Sequence, residues 1–341
     1  MSAGSGARSP GDDSVAADAV IVVNTGTPAA PRSAAVRSFL ARFLSDPRVV
    51  ELPRMLWLPL LYTLVLPLRA PRSAHRYRLI WHSEGSPLAV HTGQLTHALA
   101  QQLAPLIPAL QVQQAFLYSE PSFTAVLERL RTRGARRLLV LPLFPQRSGT
   151  TTGAVYDQLG HALRSWRALP QLRVVASYCE HPGYIGALAA SVREHWAAHG
   201  RTQHLLMSFH GIPVACVRRG DDYPEQCRVT AERVAAELGL AAGDWSLSYQ
   251  SRFGAARWLA PATVATLQAL PQRGVRAVSV LCPGFPADCL ETLEEIALGG
   301  RDVFLKAGGE RFDYVPALNA RADHAQALAQ LLAAAGHDWR T

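Results

Sequence analysis

The sequence predicts an α/β protein of two domains, each a parallel sheet wrapped by helices, with the strand ends of both turned toward a central cleft. Two observations carry that expectation. Short runs of branched apolar residues recur along the chain, each followed by a stretch with helical spacing and no hairpin signal, as in strand–helix units around parallel strands. The segment IVVNTGTP at 21–28 is also echoed by LLMSFHGIP at 205–213: each is an apolar strand ending on a polar residue before Gly-x-Pro. Such an echo suggests two halves of like design.

The expected strands are Ala19 to Asn24, Val112 to Tyr118, Arg137 to Leu143, Leu172 to Tyr178, His204 to His210, Ser246 to Gln250 and Arg276 to Cys282. Between them helical spacing covers Ser33 to Leu44, Leu95 to Leu103, Pro121 to Arg133, Thr152 to Trp166, Ile185 to Ala198, Pro224 to Leu238, Pro261 to Leu270 and Ala287 to Leu298. A chain of 341 residues, 49% hydrophobic, is long enough for two cores. Pro170 punctuates the sequence between them, giving domains over 19–170 and 171–318. A Gly-, Ser- and Ala-rich stretch over 1–18 reads as a flexible tail, and 319–341 as a C-terminal helix and tail.

Composition removes several function classes. The formal charge is +8, from 34 Lys and Arg against 26 Asp and Glu, a surplus that suits anionic partners. No long basic run and no basic stripe interleaved with aromatics appears, which argues against nucleic acid. The cysteines number 5, an odd count without a C-x-x-C pair; this fits a reducing cytoplasm and argues against a thiolate metal cluster. Glycine-rich dinucleotide loops, a Walker lysine, H-E-x-x-H and G-x-S-x-G are all missing, which disfavours nucleotide, zincin and hydrolase chemistry.

The segment Met55 to Leu68, MLWLPLLYTLVLPL, is apolar throughout but too short to span a bilayer, which takes about 20 residues. Pro59 and Pro67 each remove a helix hydrogen bond and clash with the preceding turn. Two readings stay open: a buried core helix, or an exposed lip that, with Arg54, Arg69, Arg72, Arg76 and Arg78 around it, rests on an anionic membrane surface.

Ligands of open parallel sheets sit outside the carboxyl ends of the strands. His210 stands at such an end, followed by a glycine that permits close approach. Its imidazole can accept a proton near neutral pH or bind a transition metal. Glu291 and Glu295, four residues apart, share a helix face after the last strand; they form either a solvated acidic face or a path for a divalent cation. Tyr118, Trp258 and Phe285 offer aromatic walls to a flat ligand, and Thr151, Ser251 and Arg252 offer hydroxyls and a guanidinium to its anionic groups.

Taken together, PLFPQRSGTTTG (142–153), SFHGIP with its trailing DDYPEQC (208–227), YQSRFG (249–254) and PGFPADCLETLEEI (283–296) resemble the ferrochelatase family, in that family's order. VNTGTP (23–28), FLSDPRVVELPR (43–54) and EGSPL (84–88) extend the resemblance, so that it runs from about Ile21 to Asn319. It implies two Rossmann-like domains of the type II chelatase kind with a porphyrin cleft between them. It also implies insertion of ferrous iron into protoporphyrin IX, the terminal step of haem biosynthesis, with iron as substrate and no cofactor. His210 falls on the family's active-site histidine and Glu291 on its glutamate, with Glu295 continuing an acidic path for metal or protons. Tyr118, Trp258 and Phe285 match positions that line the macrocycle. Thr25, Ser86, Thr151, Ser251 and Arg252 complete the implied porphyrin-binding set.

Departures from the pattern accompany the resemblance. Leu117 stands where many members have an arginine before the tyrosine, and Phe209 where many have a small residue. No cysteine follows Cys289, so the iron–sulfur cluster that some members carry near the C-terminus is not expected. The apolar segment resembles the family's mouth region, which favours protoporphyrin IX over the more polar coproporphyrin III and a cytoplasmic enzyme held peripherally at the membrane. Two rivals share features: a sister chelatase for cobalt or nickel, and a non-catalytic porphyrin or haem carrier.

Overall fold

The branched apolar runs form strands, all parallel. In a computed structural model, which describes residues 18–106, 110–254 and 256–336, the first sheet consists of β1 (Asp18–Asn24), β2 (Gln111–Phe116), β3 (Arg137–Pro142) and β4 (Gln171–Val174) in the order β2-β1-β3-β4. The second consists of β5 (His204–His210), β6 (Trp245–Gln250), β7 (Ala277–Leu281) and β8 (Arg311–Tyr314) in the order β6-β5-β7-β8. The same order occurs twice, so the echo between 21–28 and 205–213 reflects two equivalent central strands. Asn24 ends one and His210 the other. Except for Asp18, the tail expected over 1–18 lies outside the described residues, as do 337–341.

Helices cover both faces of the central strands, and Val20 to Val23 and Leu206 to Phe209 are buried accordingly. In chain order they are α1 (Ser33–Leu44), α2 (Arg54–Leu60), α3 (Leu66–Ile80), α4 (Pro87–Leu103), α5 (Phe123–Thr132), α6 (Thr152–Leu163), α7 (Pro182–His199), α8 (Val214–Arg218), α9 (Tyr223–Glu237), α10 (Thr263–Gln272), α11 (Leu290–Thr292), α12 (Arg301–Lys306) and α13 (Ala322–Ala335). A wide π-turn over Leu61–Val65 joins α2 to α3, and another over Leu293–Gly300 joins α11 to α12.

Several expectations change. The apolar segment is helical despite its prolines: Pro59 lies within α2, Pro67 opens α3, and the wide turn between them absorbs the missing amide bonds. Each of its two readings describes one face. Trp57, Leu61 and Leu66 enter the core, while Met55, Leu56, Leu60, Tyr62, Leu64 and Leu68 are exposed, Met55 at 90%. The first sheet also runs past the expected boundary at 170, because β4 pairs with β3; the chain changes sheets through α7. Strand β8 was absent from the expected list, since RFDY is too short and polar to announce itself beside the glycines that precede it.

The two halves share one apolar cluster. Val20, Val22, Leu139 and Leu141 of the first sheet join Leu205, Met207 and Phe209 of the second through Leu95, Leu99, Tyr184 and Leu328. Helix α13 closes it by packing on α4 and α7. Each fully buried Leu or Met contributes roughly 1.5–3 kcal/mol, so the burial that folds each half also sets how the halves face each other.

A histidine lies at the centre of that closure. His324 on α13 is fully buried; its Nδ1 donates to the Asn319 carbonyl at 2.8 Å and its Nε2 has no partner. Burial lowers its pKa from 6.5 to about 4. The folded state therefore binds this proton more weakly than the unfolded chain. The stabilisation is complete above pH ~6.5 and disappears as pH falls toward ~4, a change on the order of 3 kcal/mol for a shift of this size. Urea midpoints are expected to fall across that window, and His324→Leu should flatten this part of the profile. An unchanged slope in the variant would mean that another group sets it.

Candidate active site

His210 is the last residue of β5, whose pairing with β6 continues to its own position opposite Gln250. Its Nδ1 lies 2.6 Å from the Gly211 carbonyl. A carbonyl only accepts, so Nδ1 carries the proton and Nε2 carries the lone pair. Gly211 is required by space: a Cβ there would stand 2.8 Å from the Gln250 carbonyl and 3.3 Å from the Trp258 ring. The Phe285 ring lies 6.4 Å from the imidazole, centroid to centroid. Thus the imidazole stands beside the Phe285 ring at the mouth of the second sheet, with Trp258 against the residue that follows it.

The acidic segment is held against the same strand ends. Gln250 accepts from the Ser208 hydroxyl at 2.8 Å and donates to the Glu291 carbonyl at 2.7 Å, tying β5, β6 and α11 together. Both oxygens of Glu295 accept from Ser251, one from its backbone N–H at 2.7 Å and one from its hydroxyl at 2.5 Å. Ser251 adopts a left-handed backbone, φ 65°, that turns both donors toward the carboxylate. Burial still raises the Glu295 pKa, although the Ser251 bonds and the neighbouring His210 pull it down and Glu291 pushes it further up. A buried carboxyl with a raised pKa beside an imidazole is suited to exchanging protons. Among the described residues, no three or more His, Cys, Asp or Glu side chains converge as a metal cage.

The facing wall comes from the first half. Thr27 donates to Ser86 at 2.7 Å, and the Tyr77 hydroxyl lies near Thr27, Glu291 and Cys289. Desolvation raises the Tyr77 pKa well above its usual value. Arg69, at the end of the apolar segment, stacks over Phe253 at 4.4 Å. Desolvation lowers the Arg69 pKa, with Glu291 acting in the opposite sense. Tyr77 was not singled out from sequence, and Arg69 only as one of the arginines around the apolar segment. Their signal is faint: an arginine closing an apolar run, and a tyrosine one helical face further on.

The structure therefore brings His210, Phe285, Glu291, Glu295 and Ser251 together, with Trp258 against Gly211. Ser86 faces them through Tyr77 and Thr27. Thr25 lies at the end of β1, its carbonyl accepting from Tyr118 N. Arg252 is exposed in the loop after β6. One candidate is occupied elsewhere: Tyr118 is buried against Phe43 with its hydroxyl on Asp46 at 2.7 Å. Thr151 is half-buried at the N-cap position of α6 and makes no side-chain capping bond there. The loop leading to Thr151 is anchored by Asp221, which accepts from Ser148 and from Gly149 N. That bond gives the DDYPEQC block a structural task, fastening a first-half loop to the second half.

Known proteins share both the sequence and the architecture. The ferrochelatase family profile matches residues 17–335. The ferrochelatase of Aromatoleum aromaticum is 49% identical over 321 residues, covering 94% of this chain and 88% of that protein. That of Aeromonas hydrophila is 48% identical over 313 residues, covering 92% and 97%. Among solved structures, SirB from Bacillus subtilis with Fe3+ superposes with a TM-score of 0.55 at 11% identity, covering 95% of this chain and 98% of that one. CbiX, described as the terminal enzyme of sirohaem biosynthesis in denitrifying bacteria, superposes at 0.50 and 18%, covering 93% and 99%. At those identities the structures bear on fold alone.

Proposed function

Because this chain belongs to the ferrochelatase family, whose reaction is the insertion of iron into a porphyrin in haem biosynthesis, we propose that its porphyrin is protoporphyrin IX and that His210, Glu291 and Glu295 carry the chemistry. The observation behind this reading is the fixed tautomer of His210: with Nδ1–H held by the Gly211 carbonyl, Nε2 is the base. Metallation removes two pyrrole protons and exchanges the waters of Fe²⁺ for four ring nitrogens. Nε2 of His210 accepts one pyrrole proton and passes it to the buried Glu295 carboxyl beside it, and the freed Nε2 then accepts the second. Glu291 meets the incoming cation. Because the macrocycle itself supplies the final ligands, these side chains need only hold iron briefly, which suits an open set rather than a cage.

Phe285 and Trp258 make the flat apolar walls, and a ring bent toward the metallated geometry would be favoured over a planar one. Arg69 and Arg252, with Ser86 and Tyr77, supply charge and hydroxyls for the propionates; Ser251 serves the site through Glu295. The exposed apolar face of α2 and the turn that follows, rimmed by Arg72, Arg76 and Arg78, suits a peripheral hold on an anionic lipid surface from which a poorly soluble porphyrin enters. No helix among the described residues is long and apolar enough to cross a membrane. The reaction uses no further cofactor in this reading.

An anaerobic assay with Fe²⁺ and either porphyrin, with and without anionic vesicles, tests the proposal. The expected result is turnover of protoporphyrin IX at least about tenfold above coproporphyrin III in kcat/KM, an order set by one desolvated carboxylate pair, and faster turnover when vesicles are present. Preference for coproporphyrin III would overturn the substrate assignment, and indifference to vesicles the lipid contact. Tight binding of both porphyrins without turnover would make the chain a carrier.

A further inference from the structure

We propose that Asn319 is a positioning residue for the reaction: paired with the buried Asp288, it sets where the helix bearing Glu291 and Glu295 begins. The proposal rests on the reading that those glutamates take part. Asn319 exchanges two hydrogen bonds with Asp288, its Oδ1 accepting from Asp288 N at 2.8 Å and its Nδ2 donating to Asp288 Oδ2 at 2.8 Å. Its own backbone is held on both sides, N donating to the Pro286 carbonyl at 2.8 Å and the carbonyl accepting from His324 Nδ1 at 2.8 Å. The residue lies in the left-handed region, φ 48°, a conformation that Asn and Gly adopt most readily.

Asp288 is 4% exposed, and its other oxygen accepts from Thr292 at 2.9 Å and from Tyr314 at 2.6 Å. It therefore joins the loop bearing Phe285, the strand β8 and the first turn of the acidic segment. That segment is one helix running from α11 through the π-helical stretch over 293–300 into α12, and Asp288 stands immediately before its first turn, where the carboxylate holds Thr292. Glu291 follows Asp288 by less than one turn, and Thr292 is bonded to its carboxylate. Gln250 and Ser251 hold the inner face of this helix and the Asn319–Asp288 pair holds its start; a shift at Asp288 therefore moves the first turn, and Glu291 most directly, relative to His210, which is fixed independently by β5. The Asn319–Asp288 pair is the connection between the buried His324 on α13 and the cleft.

The test uses the full-length enzyme. Asn319→Gly keeps the left-handed backbone and the two backbone bonds and removes the two side-chain bonds. Its kcat for metal insertion is expected to fall about tenfold or more, the usual loss for a group that orients another. KM for the porphyrin should stay within about twofold, and the fold should remain intact by circular dichroism. Asn319→Asp sets carboxylate against carboxylate, and Asp288→Asn sets amide against amide. The double variant D288N/N319D restores the complementary pairing, with the exchanged amide still accepting from Thr292 and Tyr314, and should recover kcat to within about threefold of wild type. An Asn319 that merely contributed stability would lower the urea midpoint in Asn319→Gly and leave kcat of the folded enzyme unchanged. Wild-type kcat in Asn319→Gly, or a double variant no better than the worse single, overturns the proposal. If Glu291→Gln is inert while Asn319→Gly is fully active, the clamp fails and the reading of the glutamates stands; if Glu291→Gln is active, that reading itself fails.

Discussion

His210→Ala is expected to lose metallation by roughly 10²–10⁴-fold in kcat, the range spanned by removal of a positioned general base, while porphyrin binding changes little. The substitution leaves the backbone of β5 in register with β6 and β7, and the aromatic walls at Phe285 and Trp258 stand on other elements. What disappears is the Nε2 lone pair, held ready by the Nδ1–H bond to Gly211. Stopped-flow metallation with Fe²⁺ or Zn²⁺ measures the rate, and quenching of tryptophan fluorescence by porphyrin measures binding. Partial recovery with added imidazole would place the loss on the ring. A variant that metallates within about twofold of the wild-type rate would mean that another group takes the pyrrole protons.

Glu291→Gln is expected to lower kcat by about 10²-fold, the lower end of that range, and to raise the apparent KM for Fe²⁺ more than that for the porphyrin. The replacement matches the side chain in size, and the bond from Gln250 reaches the backbone carbonyl of Glu291, which the substitution keeps. Only the charge is removed. Steady-state kinetics varying each substrate in turn separate the two effects. An unchanged rate and an unchanged iron KM would assign the carboxylate to an ordinary solvated face, the competing sequence reading.

These two residues were legible for a simple reason: each is at or just beyond the end of a strand that hydrophobic patterning reveals, and such ends line the cleft of a parallel sheet. The residues that support them were not. Arg69 and Tyr77 reach the site because the wide turn over 61–65 carries a proline-bearing segment through as helix, an outcome that the local rule against internal proline does not anticipate. Ser251 looked like a partner for an anionic ligand; in the folded chain both its donors go to Glu295, because a left-handed backbone turns them the same way. Tyr118 looked like an aromatic wall, but Asp46 and Phe43 hold it within the first half.

By itself, the sequence determined the class of the fold, its duplication, the family and the strand ends where chemistry is found, since these follow from local periodicity and short motifs. Tertiary structure decided the rest. Where the first sheet stops depends on β4 pairing with β3, which no local signal announces. How the halves face one another depends on apolar side chains from both sheets packing into one cluster. The acidic segment is placed by a bond between Asp288 and Asn319, residues on opposite sides of β8. Hydrogen bonds and packing between residues distant in sequence leave no periodicity to read, and they set the geometry on which metallation depends.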